Sequence, residues 1–397
     1  MIKKISILLC CFALAGLLGG CWSRREINEV AIVLGAGVDW TEGDRIRLTV
    51  QIAIPEAFAA GGEGGNIGKE SSSLVVSAEG ATIEEAERYL AMKVPRDIYW
   101  GHSIVLVIGE QMARKGVQMV TDFFERDRQP RETMWIMVAK GEAKDFLETY
   151  SDLQKTSAQA VGFLTRKRTG YPVQLREFAE MLASKEIQPA VTGVEVKEAG
   201  VAQGPRQESR SPSHKQVMIS GVGIFKEDKL VGWLDDHETR GLMWLKGESM
   251  DGVITVPSPN EPDKKVSIRI RRGKTGIEAE SGGEYPRFNV KIKAEGDMVE
   301  QQSRQNLAEP EMIKALESEM ADEIKKRATA ALRKARDEYG VDVFGFGHAF
   351  HQRFKKDWRE LEDRWDEVFR RAEINITVEA YVREIGLLTR PLGTPEE

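Results

Sequence analysis

Two periodicities alternate along this chain, and they predict its elements. Residues 29–40 (EVAIVLGAGVDW) form an apolar run that reads as a buried strand. Ile46, Leu48, Val50, Ile52 and Ile54 then recur at every second position, as in a strand with one buried face. Thr41-Glu42-Gly43-Asp44 between them has the residue types of a hairpin turn. The period then changes. Ile83, Ala86 and Leu90 mark a helix over 82–92, and further helices are expected over 110–126, 143–150 and 173–184. Short apolar runs at 103–109, 133–139 and 190–196 read as strands between them. Strand and helix alternate, so the N-terminal region is expected to be α/β.

Residues 199–216 (AGVAQGPRQESRSPSHKQ) carry no periodicity and are rich in Gly, Pro and Ser, as a linker or long loop would be. Beyond them, 217–225 and 229–233 pair as strands. Period-two patterns return at Val266, Ile268 and Ile270, at Phe288, Val290 and Ile292, and from Ile374 to Val382. Two long amphipathic helices precede the last strand. One spans 310–337 and opens on Pro310, which suits a first helical position. The other spans 348–371 and lines up Phe350, Phe354, Trp358, Leu361 and Trp365. The expected fold is α+β and multi-domain, with mixed β-sheets each flanked by α-helices. The expected division is a signal peptide at 1–20, an N-terminal α/β domain at 21–198, the linker at 199–216 and a C-terminal α+β domain at 217–397. Residues 157–250 could form a separate middle domain.

Composition changes this picture at the N-terminus. Of 397 residues, 41% are hydrophobic and 30% charged, which is ordinary for a globular protein. A net charge of −6 with both signs interspersed argues against nucleic acid as a partner. The three cysteines are Cys10, Cys11 and Cys21, so the chain beyond Cys21 can form no disulfide and no thiolate metal site. Lys3 and Lys4 precede an uncharged run from Ile5 to Gly20, too short to span a bilayer comfortably and laid out as a secretory signal. Leu18-Gly19-Gly20-Cys21 ends it as a bacterial lipobox does: an aliphatic residue, two small residues, then a cysteine whose thiol accepts a diacylglyceryl group. Cleavage would leave Cys21 as the acylated N-terminus. Two or more acyl chains anchor stably where one does so only marginally.

Other candidate chemistry reads as structural. His348 and His351 share a predicted helix face but lack the spacing and glutamate of a zinc protease motif. His102 reads as a buried histidine at a strand entry. Asp235-Asp236-His237-Glu238 reads as a strand-to-helix junction with Asp236 as the cap. Arg166-Lys167-Arg168 is the sharpest basic cluster and could touch anionic lipid headgroups. Trp100, Trp135, Trp233, Trp244, Trp358 and Trp365 sit in apolar patterns and read as core. The glycine-rich stretch 61–68 lacks the lysine and context of a phosphate loop. No catalytic residue, cofactor site or metal site is read from the sequence.

Several blocks resemble the GerAC family, the C subunits of nutrient germinant receptors in endospore-forming bacteria. Cys21-Trp22-Ser23-Arg24-Arg25-Glu26-Ile27-Asn28 is similar to the family's lipidated opening. The likeness continues through Tyr99–His102 and Ile108–Glu110, is strongest over Gly221–Gly247, and recurs at Asp342–Gly347 and Trp358–Phe369. The resemblance implies a non-enzymatic lipoprotein on the outer face of the spore inner membrane, with Cys21 as the lipidated residue. It implies A-type and B-type integral-membrane partners and a response to amino acids or sugars. The alternative is a membrane-anchored solute-binding lipoprotein of a transporter. Against that, the sequence shows no pair of similar α/β lobes.

Overall fold

A computed structural model describes Ile5 and residues 27–55, 72–127, 129–149, 151, 153–198, 215–248 and 252–386. The chain forms two mixed sheets with helices packed on them. In the first sheet, β1 (Val30–Thr41) turns into β2 (Arg45–Ala53), which pairs with β3 (Ser73–Gly80). Helix α1 (Ile83–Ala91) then leads through the short β4 (Asp97–Tyr99) into β5 (Val105–Ile108). Helices α2 (Glu110–Lys115) and α3 (Gln118–Arg126) precede β6 (Trp135–Ala139). Helices α4 (Ala143–Glu148), α5 (Ser157–Arg166) and α6 (Leu175–Ala183) lead to β7 (Ala190–Glu198). The hairpin β8 (Lys215–Lys226) and β9 (Lys229–Leu234) completes the sheet. Its order is β3-β2-β1-β5-β6-β7-β8-β9, with β4 beside the start of β1. The four strands β1, β5, β6 and β7 are parallel, and antiparallel hairpins flank them on both sides.

All four residues of β5 are buried because helices cover both faces of this sheet. Leu106 and Ile108 face the large core shared with the second sheet. Val105 and Val107 face a smaller core under α4 and α5, with Phe146, Leu147, Ala158 and Val161. That second covering layer alters the expectation for β2. Its polar residues Thr49 and Gln51 are buried rather than solvated. The Gln51 amide donates to the Leu147 carbonyl (2.8 Å) and accepts from the Ala158 N–H (3.2 Å).

The second sheet is β10 (Val253–Ser258), β11 (Glu261–Glu280), β12 (Arg287–Gln301) and β13 (Glu373–Glu384), in that order. Helix α7 (Asp236–Lys246) joins the two sheets. Between β12 and β13 run α8 (Pro310–Arg333), a π-helical turn (Lys334–Tyr339) and the short helices α9 (Phe346–Arg353), α10 (Lys355–Leu361) and α11 (Trp365–Arg371). This crossover makes β12 and β13 parallel and covers one face of the sheet. The other face carries exposed ion pairs such as Arg287–Glu373 (2.8 Å) and Arg383–Glu295 (2.9 Å). Solvent screens such exposed pairs, so they keep the face soluble more than they stabilise it. Helices α7 and α8 meet closely at Gly241, where a Cβ would lie 2.0 Å from the Arg327 carbonyl oxygen.

Several expected elements differ, each for a tertiary reason. The helix expected over 110–126 breaks at Gly116, whose φ of 139° ends α2 while Asp228 occupies the space beside it. The helix expected over 348–371 is three short ones. Its bends bring Phe346, Phe350 and Trp365 around Phe288, at ring distances of 5.0–6.5 Å. Strands β3, β4 and β10 and helix α5 were not legible as elements in the periodicity. The segment 199–216, expected as a linker or long loop, connects β7 to β8 within one sheet, with β8 beginning at Lys215. The two sheets part after Leu234.

A buried acid at the end of β1 ties the first sheet to its covering layer. Asp39 is 2% exposed and accepts from the Ala143 (2.7 Å) and Lys144 (3.0 Å) N–H groups at the start of α4. Gly109 leaves it room, since a Cβ there would lie 2.0 Å from Asp39 Oδ1. Burial pushes its carboxyl up to about 6, against the pull of both N–H bonds. A folded value above the unfolded one favours folding below the unfolded pKa, and that contribution is lost as pH rises through 6. Urea unfolding should therefore show the native chain losing about 1–2 kcal/mol relative to Asp39→Asn between about pH 5 and pH 7.5, with no further divergence above that. Parallel pH profiles would show that Asp39 is ionised throughout.

Candidate functional site

The lipobox residues Leu18, Gly19, Gly20 and Cys21, the 61–68 stretch and residues 199–214 lie outside the described residues. Among the described residues, polar chemistry concentrates where the first sheet meets the crossover helices of the second. The centre of this junction is Asp342, which is fully buried. Its Oδ1 accepts from the Phe344 and Gly345 N–H groups, at 3.0 Å each. Its Oδ2 accepts from the Gly347 N–H (2.8 Å) and the Trp365 indole N–H (3.2 Å). Burial pushes this carboxyl above its ordinary range, and these four donors oppose that rise. Residues 342–347 (DVFGFG) fold this way because Gly345 takes a left-handed φ of 92° to start α9.

The first sheet docks onto this loop through residues 184–189. The Gln188 N–H donates to the Asp342 carbonyl (2.7 Å), and Pro189 accepts from Phe225 of β8 (2.9 Å). Gly347 permits the approach, since a Cβ there would lie 2.4 Å from the Glu186 carbonyl oxygen. The Glu186 carboxylate bridges His348 Nδ1 and His351 Nδ1, at 2.5 Å each. Partial burial pulls its pKa up, but the two histidine bonds outweigh that and hold it below the ordinary glutamate value. Lys185 pairs with Asp363 (2.7 Å), and Lys226 with Asp366 (3.1 Å). Across the joint, Tyr339 of the π turn covers edge strand β9. Its hydroxyl donates to the Trp233 carbonyl (3.1 Å) and accepts from the Trp233 N–H (3.2 Å).

A cleft of about 930 Å³ opens beside this joint, between α6 and α9. Tyr171, Lys246 and Glu248 line it as one group. Burial raises the Tyr171 and Glu248 pKa values. Burial lowers that of Lys246, but Tyr171 and Glu248 outweigh it and leave the lysine raised. The Lys246 ammonium lies over the Tyr171 ring, 5.6 Å from its centroid.

The structure separates the sequence candidates. His348 and His351 meet on Glu186, a partner that lies more than 160 residues away and that sequence spacing could not reveal. Among the described residues, no group of three or more His, Cys, Asp or Glu side chains has an arrangement that could hold a metal ion. His102 is exposed and 5.7 Å from the Tyr99 ring, not buried, because it sits on the turn outside β5. Asp235, not Asp236, caps α7: it accepts from Glu238 N–H (2.8 Å) while Glu238 accepts in return from Asp235 N–H (2.8 Å). Asp236 instead accepts from the Gly221 N–H (3.1 Å). Trp100, Trp244, Trp358 and Trp365 are buried, whereas Trp135 and Trp233 are half-buried at the joint. Arg166, Lys167 and Arg168 are exposed. Asp342 and Glu186 were missed as joint residues, because a lone acid in an apolar context carries no sign of its donors.

Fold and junction together define a two-sheet α+β protein whose buried polar groups hold its halves in register. Residues 23–196 match the family model described as "Spore germination protein N-terminal domain", and 220–386 match "Spore germination B3/GerAC like, C-terminal". The chain belongs to the GerAC family of spore germination proteins. Spore germination protein KC of Bacillus subtilis (strain 168) is 26% identical, covering 99% of this chain and 98% of that protein. The putative spore germination protein YfkR of the same organism is 28% identical over 95% and 96%. The crystal structure of the GerBC protein superposes with a TM-score of 0.58 at 20% identity, covering 88% of this chain and 96% of that one, and so shares the fold.

Removing the Asp342 carboxylate would leave buried donors without an acceptor. Asp342→Ala should destabilise the chain by about 3–5 kcal/mol in urea unfolding. Glu186→Gln, on the half-exposed side of the joint, should cost under about 1 kcal/mol. Equal effects would show that Asp342 is not the central joint residue.

Proposed function

We propose that this protein is the lipid-anchored C subunit of a nutrient germinant receptor. It is a non-enzymatic module tethered through Cys21 to the outer face of the spore inner membrane, and it assembles with A-type and B-type integral-membrane subunits into a receptor that triggers germination in response to amino acids or sugars. The observation that supports this most is the end-to-end match, 99% of this chain and 98% of the relative, to a protein named for spore germination. A match across both sheets and their joint is one of whole architecture, not of one motif. No helix among the described residues is long and apolar enough to cross a membrane, so membrane attachment in this reading rests on Cys21. Tethering raises the effective concentration of the folded chain beside its partners, so each contact can be weak and still hold.

Cys21→Ala should leave the thermal transition unchanged and release the chain from spore membranes into the soluble fraction. Retention after a high-salt wash would exclude Cys21 as the anchor. Affinity capture of the native chain from detergent-solubilised spore membranes should recover two polytopic proteins. Micromolar binding of a labelled amino acid or sugar, with neither polytopic protein recovered, would instead support the solute-binding lipoprotein.

A further inference from the structure

The edge of the first sheet that borders the cleft beside the joint gathers exposed apolar and cationic groups. Strands β1, β5 and β6 are parallel, and β3, two antiparallel steps from β1, runs the same way, so all four begin along this edge. The chain enters here, since Ile27–Glu29 leads straight into β1. Six residues, Cys21 to Glu26, precede that turn and can span at most about 20 Å.

Helix α5 comes down to the same edge. A Cβ on Gly162 would lie 2.6 Å from Ile104, the residue before β5, and Gln174 bridges to Trp135, the first residue of β6. The segment between them therefore lies at this edge, and it carries Arg166, Lys167 and Arg168. None of the three forms an ion pair with a described residue. Phe163, one turn earlier, is 44% exposed, with the Arg166 guanidinium 4.6 Å from its ring centroid. Leu74, the second residue of β3, is 46% exposed. Ser72, two residues before it, donates to the Lys155 carbonyl, and Leu153, two residues before Lys155, is 92% exposed. Exposed aliphatic and aromatic side chains beside unpaired cations form the composition that seats a protein on anionic headgroups. The apolar groups enter the interfacial layer, and the cations meet phosphate. Glu29 and Asp97 lie on the β1–β4 side of the edge, whereas Glu177, Glu180 and Glu248 share the lining of the cleft with Arg166 and Arg168, so the face these cations turn to headgroups is the one outside the cleft.

We propose that this edge rests on an anionic lipid surface, with Phe163 and Leu153 at headgroup depth and Arg166, Lys167 and Arg168 on the phosphates. The orientation it gives the anchored chain rests on tethering at Cys21; the contact itself does not, and its test omits the acyl group. The mature full-length chain with Cys21→Ala should cosediment with phosphatidylglycerol vesicles at least about tenfold more tightly than with phosphatidylcholine vesicles, and should lose that preference in high salt. Replacing Arg166, Lys167 and Arg168 together by Glu should abolish the preference while the thermal transition stays within a few degrees. Phe163→Trp should report the contact directly, with its added emission shifting to the blue on anionic vesicles. Equal binding to both vesicle types, unchanged binding by the triple variant, or an unshifted Trp spectrum would each overturn the proposal. So would absence of vesicle binding combined with loss of polytopic partners from the triple variant, which would assign the patch to a protein. Failure of lipid anchoring would appear separately, as solubility of the native chain that retains Cys21.

Discussion

A carboxylate taken out of water must be supplied with donors or neutralised, and Asp342 shows what that requirement organises. Its two oxygens collect four N–H groups from the start of α9 and from the Trp365 indole. Satisfying them sets the tight loop 342–347, the left-handed glycine at 345 and the placement of α11. The same residue's backbone carbonyl accepts from Gln188 of the first sheet. One residue therefore fixes a loop through its side chain and a joint between sheets through its main chain. Buried polar joints of this kind demand one arrangement, because any shift leaves a donor or acceptor unpaired in a medium that penalises it. Asp39 repeats the device on a smaller scale, tying the end of β1 to α4.

Around that joint the two sheets divide the work differently. The first buries both faces, so its exposed chemistry is displaced to its edges and connections. The second buries one face under α7, α8 and the aromatic helices and leaves the other as a lattice of exposed charges. In a module held near a membrane this matters. Charge lattices resist association on one surface, while the edge where the chain enters keeps apolar side chains beside Arg166, Lys167 and Arg168. In the proposed reading, membrane contact and partner contact use different surfaces of the chain.

Much of this was legible in the residues. A continuous apolar run located β1, and period-two patterns located β2, β8, β9 and the three long strands of the second sheet. Pro310 marked the first turn of α8. The blocks from Cys21 to Phe369 identified the family, and the lipobox supplied the expectation of an anchor. These succeeded because periodicity and motif spacing are local properties, set by which side chains point to one face of an element. The short strands β4 and β10 escaped notice because three to six residues leave little period to read, and β3 because it is only partly buried.

What the sequence determined by itself was the identity of most elements, the family and the cysteine on which the proposed tether depends. Only the tertiary structure decided which polar residues are interior and where helices stop. Asp342, Glu186, Asp39 and Gln51 look like ordinary surface residues until their partners, in several cases about a hundred residues away, are brought beside them. Gly116 breaks a helix because Asp228 takes the space, and the 199–216 segment joins strands rather than sheets because β7 and β8 pair across it. The reason is the same each time: the free energy of burying a polar group, or of bending a helix, is set by long-range neighbours, and a one-dimensional pattern does not contain them.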